Sequence, residues 1–175
     1  MIGFIGVGVM GEPMCRHLAQ KSRQAVCAHD LDDAPLERLV EHGVQVAESM
    51  QDLAKRCDVV FLSLPGGTAV QKVCVGGGGL LTHMRAGSCV VDLGTSPVQL
   101  ARDLNARFSA RGVQFADAPV ARTREAAEAG TLSVMVGSIE RTFTRIKPLL
   151  ACFADEITLC GNGALNPGET CDAGP

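Results

Sequence analysis

Three glycines near the start of the sequence have the spacing of a nucleotide-binding loop. They form the GxGxxG pattern of FIGVGVMGEPM, directly after an apolar strand and at the opening of an amphipathic helix. In such a loop one glycine allows a tight turn, one lets the backbone approach a pyrophosphate, and one lets the helix pack closely on the strand. The helix N-terminus offers unpaired N–H groups to the phosphates. The predicted cofactor contacts are Gly6, Val7, Gly8, Val9, Met10 and Gly11.

An acidic residue ends the next predicted strand. Asp30 follows Gly11 by about 20 residues, where a carboxylate accepts hydrogen bonds from the adenine ribose hydroxyls. Its negative charge repels a 2′-phosphate, so we expect NAD rather than NADP as the cofactor. Asp30 could instead cap the next helix, although Asp32 or Asp33 can fill that role.

A basic turn lies between a strand and a helix in DAPVARTREAAEAGTLSVMVG, residues 117–137. Pro119 prevents the strand ladder from continuing, so the next residues are expected at the carboxyl edge of the sheet, where ligands bind in open α/β sheets. Arg122 adds a planar fork of donors suited to an oxyanion, the alternative being a solvated surface side chain. Thr123 could equally be a helix cap, and Arg124 is either solvated or recruited to an anion.

The other reactive side chains form no recognisable catalytic or metal-binding constellation. Glu125 and Glu128 are interpreted as an exposed helical face rather than a catalytic pair. The four histidines have no second group at useful spacing, and no CxxC or Cys/His cluster indicates a metal site. Six cysteines scattered through strand and helix patterns are interpreted as small buried apolar residues: Cys15, Cys27, Cys57, Cys74, Cys89 and Cys152.

Short apolar runs alternate with amphipathic segments as far as about residue 160, which predicts an α/β fold with a doubly wound, mainly parallel sheet. Ser49 has the spacing of a capping box with Asp52, Gly43 suits a left-handed helix end, and Gly76–Gly79 are interpreted as a surface connection. Predicted strands are Ile2–Ile5, Ala25–His29, Val59–Leu64, Cys89–Leu93, Val113–Ala116, Leu132–Val136 and Glu156–Leu159. Predicted helices start near Val9, Asp33, Ser49, Gly67, Pro97, Arg124 and Glu140.

Composition limits the remaining function classes. The sequence has 175 residues, enough for one core, and a net charge of -3, which gives no reason to expect nucleic acid or an anionic membrane as partner. No apolar run approaches the ~20 residues of a membrane span, and no signal peptide is visible. We therefore expect a cytoplasmic protein whose partner is a small anionic molecule.

Four motifs in order give residues 1–160 a resemblance to the 3-hydroxyisobutyrate dehydrogenase family, also called β-hydroxyacid dehydrogenases. They are FIGVGVMGEPM, Leu64-Pro65, DLGT before Ser96-Pro97, and DAPV…GTL…MVG. The resemblance implies a Rossmann-type NAD-binding domain and hydride transfer between NAD and a small 3-hydroxy acid and its aldehyde. It also implies that Leu64, Pro65 and Thr95 contact the cofactor.

The substrate motif departs from the usual pattern of this family. Most members have Ser-Gly-Gly after DAPV, and those residues hold the substrate carboxylate, whereas this sequence has Ala121-Arg122-Thr123. The Arg-Thr pair resembles the variant of the family's sulfolactaldehyde reductases, where it meets a sulfonate. The resemblance therefore implies that Ala121, Arg122 and Thr123 bind the acid group of the substrate, whether carboxylate or sulfonate.

The proton-transfer lysine of the family is not found in the sequence. In the family it lies in a GxxGxGxxxK pattern; here Gly161 begins that stretch, the Lys would fall near Thr170, and no Lys follows Lys147. We therefore expect no catalytic residue in this chain and little or no turnover. The helical second domain, which carries most of the family's dimer contacts, also has no counterpart. The alternative function is a non-catalytic dinucleotide-binding module, or a fragment that needs a second chain.

The composition changes after residue 160, so we predict an NAD-binding domain over 1–160 and an irregular Gly/Pro-rich tail over 161–175. The stretch CGNGALNPGETCDAG resembles half of a disulfide-rich repeat of secreted proteins, which implies a bond between Cys160 and Cys171. Such a repeat does not suit a cytoplasmic dehydrogenase. We therefore expect a truncation, frameshift or gene fusion near residue 160. The alternative is that the Gly-rich tail resembles the repeat by chance. A third hypothesis is that the tail is itself the functional part, as a disulfide-linked surface module.

Overall fold

The computed structural model describes residues 1–160, which form nine strands and eight helices. The predicted tail, 161–175, lies outside the described residues, as does Cys171. The strands are β1 (Ile2–Ile5), β2 (Val26–His29), β3 (Gln45–Val46), β4 (Val59–Leu62), β5 (Cys89–Asp92), β6 (Gln114–Asp117), β7 (Val120–Ala121), β8 (Leu132–Val136) and β9 (Ala154–Leu159). The helices are α1 (Gly11–Lys21), α2 (Asp33–Val40), α3 (Met50–Arg56), α4 (Gly67–Val75), α5 (Leu80–His83), α6 (Val98–Ser109), α7 (Arg124–Ala129) and α8 (Glu140–Leu150).

The first six strands form one parallel sheet in the order β3-β2-β1-β4-β5-β6. The chain winds outward from β1 to β3 and then returns to the other side of β1 with β4. The strand order therefore reverses between β1 and β4, and the crevice outside the carboxyl ends of these two strands is where such sheets bind ligands. The prediction of a doubly wound parallel sheet is confirmed.

A second sheet holds the last three strands, in the order β7-β8-β9, with β7 antiparallel to β8 and β8 parallel to β9. The expected alternation does continue to about residue 160, since α8 joins the parallel strands β8 and β9, but these strands lie in a second sheet and β7 pairs antiparallel to β8. Pro119 does end the ladder of β6, but the chain pairs again at once, because Val120–Ala121 joins the new sheet. An isolated antiparallel bridge between Asp117 and Gly137 connects the two sheets.

Apolar side chains fill both faces of the six-stranded sheet. Phe61 on β4 stacks on Phe4 at 6.1 Å between ring centroids and meets Phe153 edge-on at 6.2 Å, which ties the second sheet to the first. The six scattered cysteines are all buried, as predicted. Burial raises the pKa of the Cys57 and Cys89 thiols to about 12, so these groups stay protonated and pack as apolar residues.

Local sequence features fix several boundaries. Ser49 Oγ accepts a hydrogen bond from Asp52 N at 3.1 Å and caps α3, and Gly43 takes a left-handed φ of +82° after α2. Gly76–Gly79 connect α4 to the short α5. The predictions missed α5 and the two-residue strands β3 and β7, and they extended β4 by two residues, to Leu64. Among residues 1–160, no helix is long and apolar enough to cross a bilayer.

Candidate cofactor and substrate site

The loop after β1 has the conformation that its glycines predict. Gly6 has a φ of +88°, and a Cβ there would overlap the carbonyl of Ser63. A Cβ on Gly11 would overlap the carbonyl of Gly6, so α1 packs against the end of β1 only because Gly11 has no side chain. Gly8 is exposed, and no described atom outside residues 7–9 lies within 4 Å of the point that a Cβ would occupy there, which leaves its backbone open to a ligand. The turn and packing roles are confirmed, while contact with a cofactor stays a prediction.

Asp30 is joined to this loop rather than to α2. Its Oδ2 accepts a hydrogen bond from Val7 N at 2.6 Å, and its Oδ1 accepts one from Asp32 N at 3.0 Å. Asp32 caps α2 by accepting from Ala34 N at 3.1 Å, so the helix does not need Asp30 as its cap. The half-buried carboxylate therefore lies at the carboxyl end of β2, beside the glycine loop, and its contact with an adenine ribose stays a prediction.

Leu64 is one of the three residues for which the family resemblance implies contact with the cofactor. It lies between the glycine loop and the loop after β5. Its Cδ2 would be 3.0 Å from a Cβ on Gly6, and its carbonyl would be 3.4 Å from a Cβ on Gly94. Thr95 follows Gly94 and is exposed, as is Pro65. The loops that follow β1, β4 and β5 thus meet at one edge of the sheet, and they bring the predicted cofactor residues together.

Two acidic residues at this edge were not singled out in the sequence. Asp92 ends β5 and is fully buried; its carboxylate accepts hydrogen bonds from Gly94 N at 3.0 Å and Ser96 Oγ at 2.6 Å. Asp117 ends β6, and burial together with the charge of Asp92 raises its pKa to about 6. The first residue of DAPV could have drawn attention to Asp117, but nothing in the sequence shows that Asp92 lies beside it.

The turn after Asp117 runs beside the end of β5. Ala118 N donates to Asp92 O at 2.7 Å, and Val120 N donates to Leu93 O at 3.3 Å. Ala121, Arg122 and Thr123 come next and are all exposed. The predicted substrate residues therefore follow a segment that is hydrogen-bonded to the strand leading into Thr95.

The guanidinium of Arg122 is held by protein groups in this structure. Nη1 donates to Asp155 Oδ1 at 2.9 Å and to the carbonyl of Thr131 at 2.5 Å, and Nη2 pairs with Glu156 Oε2 at 2.8 Å. Arg122 also has a φ of +86°, in the left-handed region that favours glycine. The donor fork that the sequence offered to a substrate oxyanion is thus occupied by two carboxylates.

This conformation predicts different effects for two substitutions of Arg122. Arg122→Ala loses the ion pairs but keeps the strained backbone, and we expect it to lower the free energy of unfolding only slightly, because exposed ion pairs are weak in water. Arg122→Gly loses the same pairs but removes the strain, so its stability should stay about 1 kcal/mol above that of the alanine variant. Urea unfolding measures both. Equal stabilities of the two variants would show that the backbone at this position is not strained.

The helix after the turn is anchored by its exposed charges. Glu128 accepts from Arg16 on α1 at 2.6 Å and lies 4.0 Å from Arg124, so Arg124 has a partner within its own helix. Thr123 stands at the N-cap of α7 without a capping bond from its side chain, and its hydroxyl lowers the pKa of Glu125. The interpretation of Glu125 and Glu128 as an exposed helical face is confirmed.

A cavity of about 550 Å³ lies elsewhere, between α6, the outer edge of β6 and the start of α8. Asn105, Gln114 and Arg141 are among its lining residues, and none of the predicted cofactor or substrate residues lines it. The predicted site is an open crevice at the carboxyl edge of the sheet rather than this cavity.

A glycine loop at the point of strand reversal, with an acidic residue at the end of β2, defines an NAD(P)-binding Rossmann domain. Residues 1–161 match the family described as the NAD binding domain of 6-phosphogluconate dehydrogenase. The chain belongs to this family, and its predicted relation to the 3-hydroxyisobutyrate dehydrogenases is confirmed.

Three relatives illustrate the similarity. The 2-(hydroxymethyl)glutarate dehydrogenase of Eubacterium barkeri is 37% identical over 161 residues, 92% of this chain and 53% of that protein. The structure of 3-hydroxyisobutyrate dehydrogenase from Mycobacterium tuberculosis with L-serine has a TM-score of 0.85 and 33% identity, and covers 93% of this chain and 55% of that one. The structure of Psf3 with NADP+ and 2-OPP has a TM-score of 0.83 and 32% identity, and covers 94% of this chain and 58% of that one. The chain spans about half the length of the proteins it matches.

Proposed function

We propose that this chain is the cofactor-binding part of an NAD-dependent dehydrogenase that interconverts a small 3-hydroxy acid, or its sulfonate analogue, and the corresponding aldehyde. The observation that carries the proposal is the hydrogen bond from Val7 N to Asp30, which sets a carboxylate beside the open backbone of Gly8. The exposed backbone of Gly8 and the N-terminus of α1 fit a pyrophosphate, and Asp30 fits the ribose next to it.

The choice of NAD over NADP rests on charge. Asp30, Asp32 and Asp33 bring three carboxyl groups to the turn where a 2′-phosphate would lie, and no Lys or Arg stands between them in the sequence. A phosphate placed there meets like charges, whereas ribose hydroxyls can donate to Asp30. The similar structure that contains NADP+ belongs to another protein, so this preference is a proposal for the present chain.

We propose that the residues of this chain orient the two reactants at one edge of the sheet. Bound NAD would supply the hydride acceptor for oxidation of the alcohol carbon. Leu64, Pro65 and Thr95, on the loops after β4 and β5, would hold the cofactor next to the substrate turn. Because Ala118 and Val120 are hydrogen-bonded to β5, movement of that turn relative to Thr95 is restricted.

Ala121, Arg122 and Thr123 are proposed to bind the acid group. Their support is the position of the turn at the ligand-binding edge and its exposure to solvent. Three of the five N–H donors of Arg122 are engaged by Asp155, Glu156 and the carbonyl of Thr131, so an oxyanion must share the guanidinium with these groups or replace one of them. A sulfonate or carboxylate must therefore compete with two exposed carboxylates, which are weak partners in water.

The test is a calorimetric titration of the 175-residue chain with NAD and NADP, followed by a turnover assay. We expect NAD to bind, NADP to bind at least about tenfold more weakly, and turnover with 3-hydroxy acids to be negligible, because no Lys follows Lys147 to carry the hydroxyl proton. Absence of NAD binding would contradict the proposal. A turnover number of about 1 per second or more would contradict the expectation of negligible activity.

Binding without turnover also fits the second candidate, a non-catalytic dinucleotide-binding module. This alternative is favoured because Thr170 stands near the place where the family resemblance predicts the proton-transfer lysine. Adding the helical domain of a relative that supplies its own lysine separates the two candidates, because recovered turnover identifies a dehydrogenase half. Unchanged inactivity, with NAD still bound, identifies a binding module.

A further inference from the structure

Two carboxyl groups lie side by side between the proposed cofactor and substrate segments. Asp92 and Asp117 end β5 and β6 and are paired in register across these parallel strands. The residues two positions earlier, Val90 and Phe115, pack in the same core cluster, so both aspartates follow the same face of the sheet.

The two groups differ in their hydrogen-bond partners. Asp92 is fully buried and accepts from Gly94 N and Ser96 Oγ, so both of its oxygens have donors. Asp117 Oδ1 is buried and has no hydrogen-bond partner among the described residues. A buried carboxylate oxygen without a donor is unfavourable when charged, and protonation removes that charge. Asp92 is therefore suited to the negative charge and Asp117 to a proton.

The electrostatic surroundings favour the same assignment. Burial raises the pKa of Asp117 to about 6, and the charge of Asp92 adds to the rise. The pKa of Asp92 is also raised by burial, but its bonds to Ser96 and Gly94 oppose that rise. Within residues 1–160, no other charged group contributes to the pKa shift of Asp117. The charged side chains on the two helices that contact β6 are Arg102, Asp103, Arg107, Glu140, Arg141, Arg145 and Lys147.

The pair is connected to both ligand-binding segments. The bonds from Gly94 and Ser96 to Asp92 hold the residues on either side of Thr95. Asp117 bonds through its backbone to Gly137, at 3.1 Å through its N–H and 2.7 Å through its carbonyl, and the next residue, Ala118, donates to Asp92 O. These bonds therefore connect the turn that begins at Asp117 to the loop that carries Thr95.

We propose that Asp92 and Asp117 work as one carboxyl pair, with a single proton on Asp117 and a single negative charge on Asp92, and that this pair positions Thr95. When Asp117 ionises, its proton passes to solvent and a second negative charge appears next to Asp92. That charge disturbs the bonds to Gly94 and Ser96. The consequence for the cofactor rests on the function proposed above, whereas the protonation of the pair does not.

The test is a carboxyl titration by NMR on the 175-residue chain carrying ¹³C-carboxyl aspartate. One resonance, absent in Asp117→Asn, should titrate near pH 6, and the amide signals of Gly94 and Thr95 should shift with the same midpoint. In Asp117→Asn, whose amide imitates the protonated acid, these amide shifts should vanish while the fold is kept. A midpoint for Asp117 near the ordinary value of about 3.9 would overturn the proposal. So would amide signals that do not follow the titration.

Two further variants separate positioning from a merely structural role. Asp92→Asn removes the neighbouring charge and should lower the midpoint of Asp117; an unchanged midpoint would show that the groups are not coupled. Asp103→Asn, on the exposed face of α6, removes a carboxylate away from the pair and should leave the titration unchanged. If Asp92→Asn does not fold, the Gly94 and Thr95 amides in Asp117→Asn still decide the question.

NAD affinity gives a second measurement. Between pH 5.5 and 7.5 the native chain should bind NAD about fivefold more weakly as the second charge forms, whereas Asp117→Asn should show no such change. Equal pH dependence in the two proteins would overturn the positioning role. If NAD does not bind at any pH, the proposed function fails, while the carboxyl titration still decides whether the pair holds one proton.

Discussion

Gly6→Ala is expected to destabilise the chain by about 3 kcal/mol or more, whereas Gly8→Ala should leave its stability almost unchanged. Gly6 combines a left-handed φ of +88° with a Cβ position that overlaps the Ser63 carbonyl. That carbonyl is backbone at the end of β4, so it cannot rotate away. Gly8 has neither constraint, because its Cβ position is open and its φ is not in the left-handed region.

Gly43→Ala is the matched control for backbone strain. Its φ is +82°, similar to that of Gly6, but no described atom outside residues 42–44 lies within 4 Å of its Cβ position. We expect a loss of about 1 kcal/mol, the effect of the left-handed conformation alone. Urea unfolding of the three variants separates strain from overlap. If Gly6→Ala and Gly43→Ala lose the same stability, the overlap with β4 has no energetic effect.

Gly8→Ala should affect NAD binding much more than it affects stability. Gly8→Ala should fold normally and lose NAD affinity by about tenfold or more, because its methyl group occupies the space that a pyrophosphate needs. Calorimetric titration measures this loss when the native chain and the variant are compared at the same concentration of folded protein. If Gly8→Ala binds NAD with native affinity, the phosphates of NAD do not contact this loop.

Asp30→Asn is expected to weaken NAD binding by about tenfold and to remove most of the preference over NADP. A charge-assisted hydrogen bond contributes about 1.5–3 kcal/mol, and the neutral amide keeps the size of the side chain but loses the charge and one of the two bonds that Asp30 accepts from Val7 N and Asp32 N. The same change removes the like charge that would meet a 2′-phosphate. Calorimetric titrations of the variant with both cofactors measure the two effects.

Asp33→Asn is the control for Asp30. Asp33 carries the same charge on the exposed first turn of α2, and Asp32 rather than Asp33 caps that helix. We expect its NAD affinity to stay within about twofold of the native value, since an exposed charge there is screened by solvent. An equal loss in both variants would show that the preference comes from the overall negative charge of the turn rather than from contact with Asp30.

Stability should also depend on pH through Asp117. Its pKa is raised to about 6 in the folded chain, so the folded state binds the proton more tightly than the unfolded state. The contribution is fully present below the unfolded pKa of about 3.9 and is lost as the pH rises to about 6. The full shift corresponds to about 3 kcal/mol, and partial solvent contact should reduce this to about 1–2 kcal/mol. In Asp117→Asn this part of the pH dependence should be absent.

The features that the sequence determined are those whose physical requirements are local. Gly6 and Gly11 are needed because a turn and a helix start must fit within a few residues of β1, and their spacing records that requirement. Ser49 is a similar case, since a cap and its N–H partner lie three residues apart. The parallel sheet follows from the alternation of apolar runs with amphipathic segments, and the four motifs placed the chain in its family.

Tertiary structure decided which distant groups meet. Arg122 pairs with Asp155, 33 residues away in sequence, because β7 and β9 flank β8 in a second sheet that no local pattern shows, and its contact with a ligand stays a prediction. Asp92 and Asp117 became neighbours only through the register of β5 and β6. Burial, charge pairing and pKa depend on atoms brought together across the fold. The sequence therefore determined where the glycine loop lies, and the packing of strands determined which charged groups meet around it.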